Sequence, residues 1–215
     1  MFRSLRRVLR RALTSRTRTA RAAQNPSDLE SGSQALVLRC AEPALSGSAA
    51  VAMFEDTAIP LAAGMDVNTA EGFLFDTIAF PGIVRLIATL QDGVIRHFLI
   101  EKGLKLLLNA HGIEVIFLLE HTGCAERASK LGVPESFVED GNRIEETLTT
   151  ASIRLMQDLR SIEGLRIVAL VAVVSDHHDS RRCCERVVTL PDFLDDNALR
   201  VHQEGVIADK KPIAA

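Results

Sequence analysis

Three apolar segments set the strongest limit on how this chain can fold. Residues 34–40 (QALVLRC), 113–119 (IEVIFLL) and 165–174 (LRIVALVAVV) are almost entirely apolar. Strands that are apolar on both faces are typical of a parallel sheet buried between two layers of helices. Helical patterns separate these segments, at residues 84–110 and 142–160. The sequence therefore predicts a single α/β domain with a mostly parallel central sheet flanked by helices.

The sheet is predicted to have about four strands, because residues 73–80 form a further β-strand pattern that ends at Pro81 and Gly82. Residues 41–64 are rich in Ala, Ser, Gly and Pro and are interpreted as a loop. In sheets of this kind, ligands bind at the carboxyl ends of the strands. Candidate functional residues are therefore sought directly after each strand.

The folded domain is predicted at residues 34–190, preceded by an arm and linker at 1–33 and followed by a tail at 191–215. Residues 1–25 contain eight arginines and no acidic residue, with apolar residues at helical spacing. This pattern is typical of a mitochondrial transit peptide. A disordered basic arm, or an anchor to anionic lipid or RNA, remains an alternative. We expect the protein to be located in the mitochondrial matrix if the source is eukaryotic, and in the cytoplasm otherwise.

Composition argues against several functional classes. Trp and Tyr are absent and aromatic residues make up 4% of the chain, which disfavours nucleic-acid binding by base stacking. No apolar run reaches the roughly 18–20 residues of a transmembrane helix. Four cysteines without a signal-peptide pattern favour a reducing compartment over a disulfide framework. The phosphate-loop, dinucleotide-binding and serine-hydrolase motifs are absent from the sequence.

Metal-ligand residues follow two of the predicted strands. Cys40 ends the first strand, and His121 and Cys124 follow the strand at 113–119. If these strands are parallel neighbours, the three side chains meet at one edge of the sheet. Two cysteines, one histidine and an open position form a known catalytic zinc set. The alternative is that the His-x-x-Cys pair is only a polar turn that closes a buried strand.

The sequence around these residues resembles the β-class carbonic anhydrases. In that family an apolar strand leads into His-x-x-Cys, as HGIEVIFLLEHTGCA does here. A short-chain branch carries Arg-Cys-x-Asp-Pro-Arg at the end of the first strand, and this chain has RCAEPA at residues 39–44. The branch also has an Asp-led strand running into Pro-Gly-Gly, similar to DTIAFPGI at residues 76–83. The resemblance covers residues 34–176 in order.

The resemblance implies a Zn²⁺ ion bound by Cys40, His121 and Cys124, with zinc-bound hydroxide attacking CO₂ or a related small molecule. It also implies a homodimer or larger oligomer. Glu42 occupies the place of the family aspartate, which orients the zinc-bound water, and Ala44 that of the arginine that restrains the aspartate. Glu42 is therefore a candidate catalytic residue that orients the nucleophile. Without that arginine, it is also a candidate fourth zinc ligand that would close the site.

Two hypotheses follow from these departures. The first is a zinc lyase acting on CO₂ and bicarbonate. The second is a catalytically degenerate family member that keeps the fold and serves as a structural or interaction subunit with protein partners. Ile83 and Ala125, where the family has glycine, are further departures.

A second concentration of possible metal ligands occurs in SDHHDSRRCCER at residues 175–186. It contains two vicinal pairs, His177 with His178 and Cys183 with Cys184. Adjacent side chains point apart along an extended chain and rarely complete one tetrahedral site. The alternative is a solvated loop after the last strand.

Overall fold

The computed structural model describes residues 34–65, 67, 73–91, 93–176 and 182–196. A five-stranded sheet with the strand order β2-β1-β3-β4-β5 forms its centre. The first four strands are parallel, and β5 runs antiparallel to β4. The strands are β1 (Ala35–Arg39), β2 (Phe75–Ala79), β3 (Val115–His121), β4 (Arg166–Asp176) and β5 (Arg182–Thr189).

Helices cover both faces of this sheet. Helix α1 packs on one face, and α2, α3, α4 and α6 pack on the other. A π-helical segment, Ile100–Leu104, joins α3 to α4. The helices are α1 (Ser48–Ala63), α2 (Ile83–Thr89), α3 (Gly93–Leu99), α4 (Lys105–His111), α5 (Ala125–Leu131) and α6 (Phe137–Asp158). This architecture confirms the predicted single α/β domain with a mostly parallel sheet.

The central strands are buried on both faces because their side chains alternate between two apolar clusters. In β3, Ile116 and Leu118 pack on the side of α2 and α6, whereas Val115 and Phe117 pack on the side of α1. All four side chains are fully buried. This double burial explains why the strand sequences lack a polar face.

Two predictions about the elements are wrong. Residues 41–64, interpreted as a loop, contain α1, whose Ala50, Phe54 and Ala58 recur every four residues and pack on the sheet. The high helix propensity of alanine outweighs the Gly, Ser and Pro residues of this segment. The second is the loop interpretation of residues 175–186, because Arg182–Thr189 (RCCERVVT) forms an edge strand that begins in this segment and is the fifth strand of a sheet predicted to have about four.

Several predicted boundaries differ from the structure. The helical pattern at 84–110, interpreted with a break near residues 92–93, forms α2, α3, the π-helical segment and α4, and α2 ends at Thr89 while α3 begins at Gly93. Helix α6 begins earlier than the predicted residue 142, because the Ser136 hydroxyl caps it by accepting a hydrogen bond from the Glu139 amide. Residues 190–196 are helical, and Phe193 packs into the core beside Phe137. The predicted arm at 1–33 lies outside the described residues.

We expect Phe117→Ala to lower the free energy of unfolding by about 3–5 kcal/mol, because it opens a cavity where no solvent reaches. The Phe117 ring lies edge-on to Phe54 at a centroid distance of 5.5 Å and to Phe73 at 6.2 Å. Chemical denaturation measures the change. Leu106→Ala, at a side chain that is 66% exposed, is the control and should change stability by less than about 0.5 kcal/mol. Equal effects of the two substitutions would contradict the described core.

Candidate metal centre

The candidate site lies at the carboxyl ends of β1 and β3. These strands are parallel neighbours, with Arg39 paired to Leu119. Cys40 directly follows β1, and His121 is the last residue of β3. Cys124 comes after a two-residue turn and is the N-cap of α5. The sheet therefore brings together the three residues predicted from the sequence.

The ligand atoms of these residues lie close together and away from solvent. The sulfur atoms of Cys40 and Cys124 are 4.0 Å apart, and the potential ligand atoms of all three residues lie within 4.8 Å of one another. Cys40 is 7% exposed, His121 0% and Cys124 3%. Two thiols and an imidazole at these separations could hold one metal ion. Among the described residues, no other group of His, Cys, Asp or Glu side chains brings its ligand atoms together in this way.

The imidazole of His121 is oriented as a metal ligand would be. Its Nδ1 lies 3.0 Å from the carbonyl oxygen of Thr122 and donates to it, since a carbonyl can only accept. In the neutral imidazole, the proton on Nδ1 leaves the lone pair on Nε2, which is the form that a metal binds. Nε2 is buried and has no hydrogen-bond partner among the described residues. A buried polar atom without a partner costs free energy, and a metal ion would satisfy this one.

The two thiols are electrostatically unequal without a metal. The hydrogen bond with Cys124 and burial raise the pKa of Cys40, whereas the same hydrogen bond and the nearby His121 imidazole lower the pKa of Cys124. Burial lowers the pKa of His121, but Cys124 outweighs it and the net direction is upward. Cys124 is therefore the thiolate of the pair, and Cys40 keeps the proton. A metal ion would bind both as thiolates.

Two glycines with positive φ shape the backbone around the sulfur atoms. Gly82 has φ of 62°, and its amide donates to the sulfur of Cys40 at 3.4 Å. A Cβ there would lie 2.3 Å from a carboxylate oxygen of Glu126. Gly123 also has φ of 62°, and a Cβ there would lie 2.7 Å from Nη2 of Arg182. Both positions therefore favour glycine for its backbone conformation.

A buried arginine fixes the turn between His121 and Cys124. Arg127 donates to Glu120 Oε2 at 2.8 Å, to Asp140 Oδ1 at 2.7 Å and to the carbonyl oxygen of His121 at 2.9 Å. Asp140 Oδ2 accepts from the amide of Gly123 at 2.7 Å. Burial raises the pKa of Glu120, and the guanidinium of Arg127 opposes this shift. The ion pairs thus connect β3, the turn, α5 and α6.

The carboxylate of Glu42 is bound by an arginine from a distant part of the chain. Arg182, the first residue of β5, donates from Nη1 to Glu42 Oε2 at 2.8 Å. Its Nη2 donates to the carbonyl oxygens of Thr122 at 3.2 Å and Gly123 at 2.9 Å. Ala44 lies where the related motif has an arginine, and the arginine that contacts Glu42 in this structure is Arg182. The catalytic and ligand roles of Glu42 remain predictions.

The second predicted cluster is only partly described. His177 and His178 lie outside the described residues, so the predicted second metal site stays untested. Cys183 is exposed and Cys184 is buried on β5. The sulfur of Cys184 lies 3.6 Å from the carbonyl oxygen of Arg186. The described half of this segment is thus an edge strand and not a loop.

The charged residues that support the site were not predicted from the sequence. Glu120 interrupts an apolar run directly before His121, and such a charge in a buried strand is a usable signal for a partner. Arg127 lies seven residues later and Asp140 lies on α6, and nothing in their spacing marks them as that partner. Arg182 lies in the strand that was interpreted as a loop.

A solved structure similar to this chain is the crystal structure of the β-carbonic anhydrase CafA of the fungal pathogen Aspergillus fumigatus. The sequences are 12% identical, and the match covers 80% of this chain and 85% of that chain with a TM-score of 0.33. No protein-family model and no curated protein match the chain.

We expect Arg127→Met to lower the free energy of unfolding by about 3–5 kcal/mol, because it leaves two buried carboxylates without their cation. Chemical denaturation measures the change. Arg186→Met is the matched control, since Arg186 forms an ion pair with Asp196 and the two side chains are 42% and 39% exposed. The free energy of unfolding of that variant should fall by less than about 1 kcal/mol. A loss as small for Arg127→Met would contradict the described ion pairs.

Zinc binding is expected to release at least one proton at pH 7, from Cys40, whose pKa is raised in the metal-free protein. Because the proton leaves on binding, zinc affinity should rise as the pH increases through the neutral range. Calorimetry in two buffers with different ionisation enthalpies measures the number of protons. Cys40→Ser should bind zinc more weakly and lose this proton. Binding to the wild type without proton release would contradict the protonation assigned to Cys40.

Proposed function

We propose that this protein binds one zinc ion through Cys40, His121 and Cys124. The observation that supports this most strongly is the buried Nε2 of His121, which has no hydrogen-bond partner among the described residues, on a side chain that groups with the thiols of two cysteines. Thiolate and imidazole ligands favour zinc over magnesium or calcium, which prefer oxygen. The fixed Nδ1 hydrogen bond to Thr122 supplies the orientation that zinc-bound histidines need.

We further propose that the zinc site hydrates CO₂ to bicarbonate, as the resemblance of its two ligand motifs to β-class carbonic anhydrases implies. Zinc held by three protein ligands supplies a Lewis acid that makes water a nucleophile near neutral pH. Side chains of the protein must then orient this water for attack. Oε2 of Glu42 accepts from Arg182, and Oε1 would be the oxygen that accepts a hydrogen bond from the attacking water and orients it.

Binding of zinc without catalysis is the competing proposal. Glu42 is one methylene longer than the aspartate of the related motif, and Ala44 replaces its arginine. If the Glu42 carboxylate were a fourth ligand, the site would be closed and structural. The protein would then act as a structural or interaction subunit with protein partners.

The proposal also covers the oligomeric state and the cellular location of the protein. We propose a homodimer or larger assembly, and delivery to the mitochondrial matrix if the source is eukaryotic. No helix in the described part of the chain has both the length and the apolar character needed to cross a membrane.

Zinc content tests the first part of the proposal. Purified wild-type protein should contain about one zinc per chain by mass spectrometry of the metal, and Cys124→Ser should lose most of it because a thiolate ligand is removed. Cys183→Ser changes an exposed cysteine outside the ligand group and should keep the wild-type content. Retention of zinc by Cys124→Ser would refute the assigned ligands.

CO₂ hydration tests the second part. In stopped-flow assays with a pH indicator, zinc-loaded wild type should hydrate CO₂ well above the buffer rate. Glu42→Ala should be slower by about tenfold or more, because it removes the group that orients water. Wild-type turnover no faster than buffer would reject hydration and favour the structural alternative.

A further inference from the structure

A cavity lies on the face of the sheet opposite the candidate metal centre. Side chains alternate along β1, so Val37 packs with the apolar cluster on the α1 side and Leu38 with the cluster on the other side. Arg39 therefore lies on the α1 side, where it lines the cavity. The next residue, Cys40, turns to the other side, where its sulfur accepts from the amide of Gly82. The sheet itself thus separates the cavity from the metal-ligand group.

The cavity has room for a small organic molecule. Its volume is about 40 Å³, whereas one buried water needs roughly 10–15 Å³. Its walls are mainly apolar, and the rings of Phe54 and Phe75 lie there in edge contact at a centroid distance of 5.2 Å. Ser46, which also lines the cavity, is exposed, so the cavity opens to solvent beside this residue.

Arg39 brings a positive charge into this cavity, and no carboxylate among the described residues pairs with it. Its Nη1 donates to the carbonyl oxygen of Cys40 and to the hydroxyl of Ser46, and its Nη2 donates to the same hydroxyl, each at 3.4 Å. These distances are longer than the about 2.7–3.2 Å of ordinary N–H···O hydrogen bonds. The side chain is half-buried, so its charge is only partly hydrated. An anion in the cavity would stabilise it.

Thr77 adds a buried hydroxyl to the same cavity. The residue is 7% exposed and lies on β2, paired with Val37 of β1. Its hydroxyl makes no hydrogen bond to another residue in the described part of the chain. A buried hydroxyl without a partner costs free energy, and an acceptor atom inside the cavity would satisfy it. Thr77 and Arg39 thus offer donors to the same small ligand.

We propose that this cavity binds a small alkyl monocarboxylate of about two to four carbons. The guanidinium of Arg39 would pair with the carboxylate, which it can do through two parallel hydrogen bonds. The alkyl group would pack against Phe54 and Phe75, where it replaces water on an apolar wall. An anion without an alkyl group would leave that wall hydrated, so the mixed lining selects for a carboxylate with a short tail. This inference stands independently of the proposed zinc binding.

The test titrates the full chain with sodium propionate at constant ionic strength and follows the amide signals of residues 37–39, 46 and 77 by NMR. Wild type should show saturable shifts. Propionamide, which has a similar shape and no charge, should bind at least about tenfold more weakly. Arg39→Met should weaken propionate binding at least about tenfold, and Thr77→Val by about threefold or more. Equal binding of propionamide, or an unchanged affinity in Arg39→Met, would overturn the proposal.

A second variant tests the cavity itself. Ala50 lines it, so Ala50→Leu should fill the space and abolish propionate binding while Arg39 stays in place. This variant decides the question if Arg39→Met does not fold. Binding retained by Ala50→Leu would overturn the proposal. So would an affinity that rises steadily from propionate to octanoate, because the longer tail exceeds the cavity and would have to lie on an open surface.

Arg160→Met is the control for the loss of one positive charge. Arg160 is exposed and follows α6, which packs on the opposite face of the sheet. Its propionate affinity should equal that of the wild type within about twofold, because exposed charges at this distance are largely screened by salt. A loss as large as in Arg39→Met would mean that propionate responds only to the net charge of the protein, and would overturn the proposed site.

Discussion

The pairing of β1 with β3 is the constraint on which the site depends. The two strands lie side by side and parallel although about 75 residues separate them, so Cys40 and His121 emerge at the same edge of the sheet. Their burial between α1 and the helices of the opposite face leaves little room for a change of register. A shift of one residue would turn Cys40 to the opposite face of the sheet. The apolar core thus fixes the first condition for metal binding.

Charged side chains fix the path of the loops that follow the strands. This path is the second condition for metal binding. Arg127 joins the carboxylates of Glu120 and Asp140 beneath the turn, and Arg182 holds the same turn from β5. Arg85 forms a bidentate ion pair with Glu126 on α5. Buried ion pairs add little net stability, but removal of one partner is costly. They are therefore suited to fixing a geometry, which a set of metal ligands requires.

The sequence predicted the parts of the protein that depend on local pattern. The apolar strands, the parallel sheet and the proximity of Cys40, His121 and Cys124 follow from hydrophobic runs and from residues at strand ends. Helix α1 was missed because its segment also contains Ser, Gly and Pro, which are typical of loops. The link between Arg182 and Glu42 was missed because it spans 140 residues and depends on an edge strand with a polar sequence. Long-range pairs of this kind leave no periodic signal.

X-ray absorption at the zinc edge tests the central claim most directly. In the zinc-loaded full chain, the account predicts two sulfur ligands at about 2.3 Å and one imidazole nitrogen at about 2.0 Å, from Cys40, Cys124 and His121. Cys183→Ser should give the same spectrum, since its sulfur lies outside the ligand group. A first shell of nitrogen and oxygen alone, or a sulfur signal that disappears in Cys183→Ser, would contradict the account.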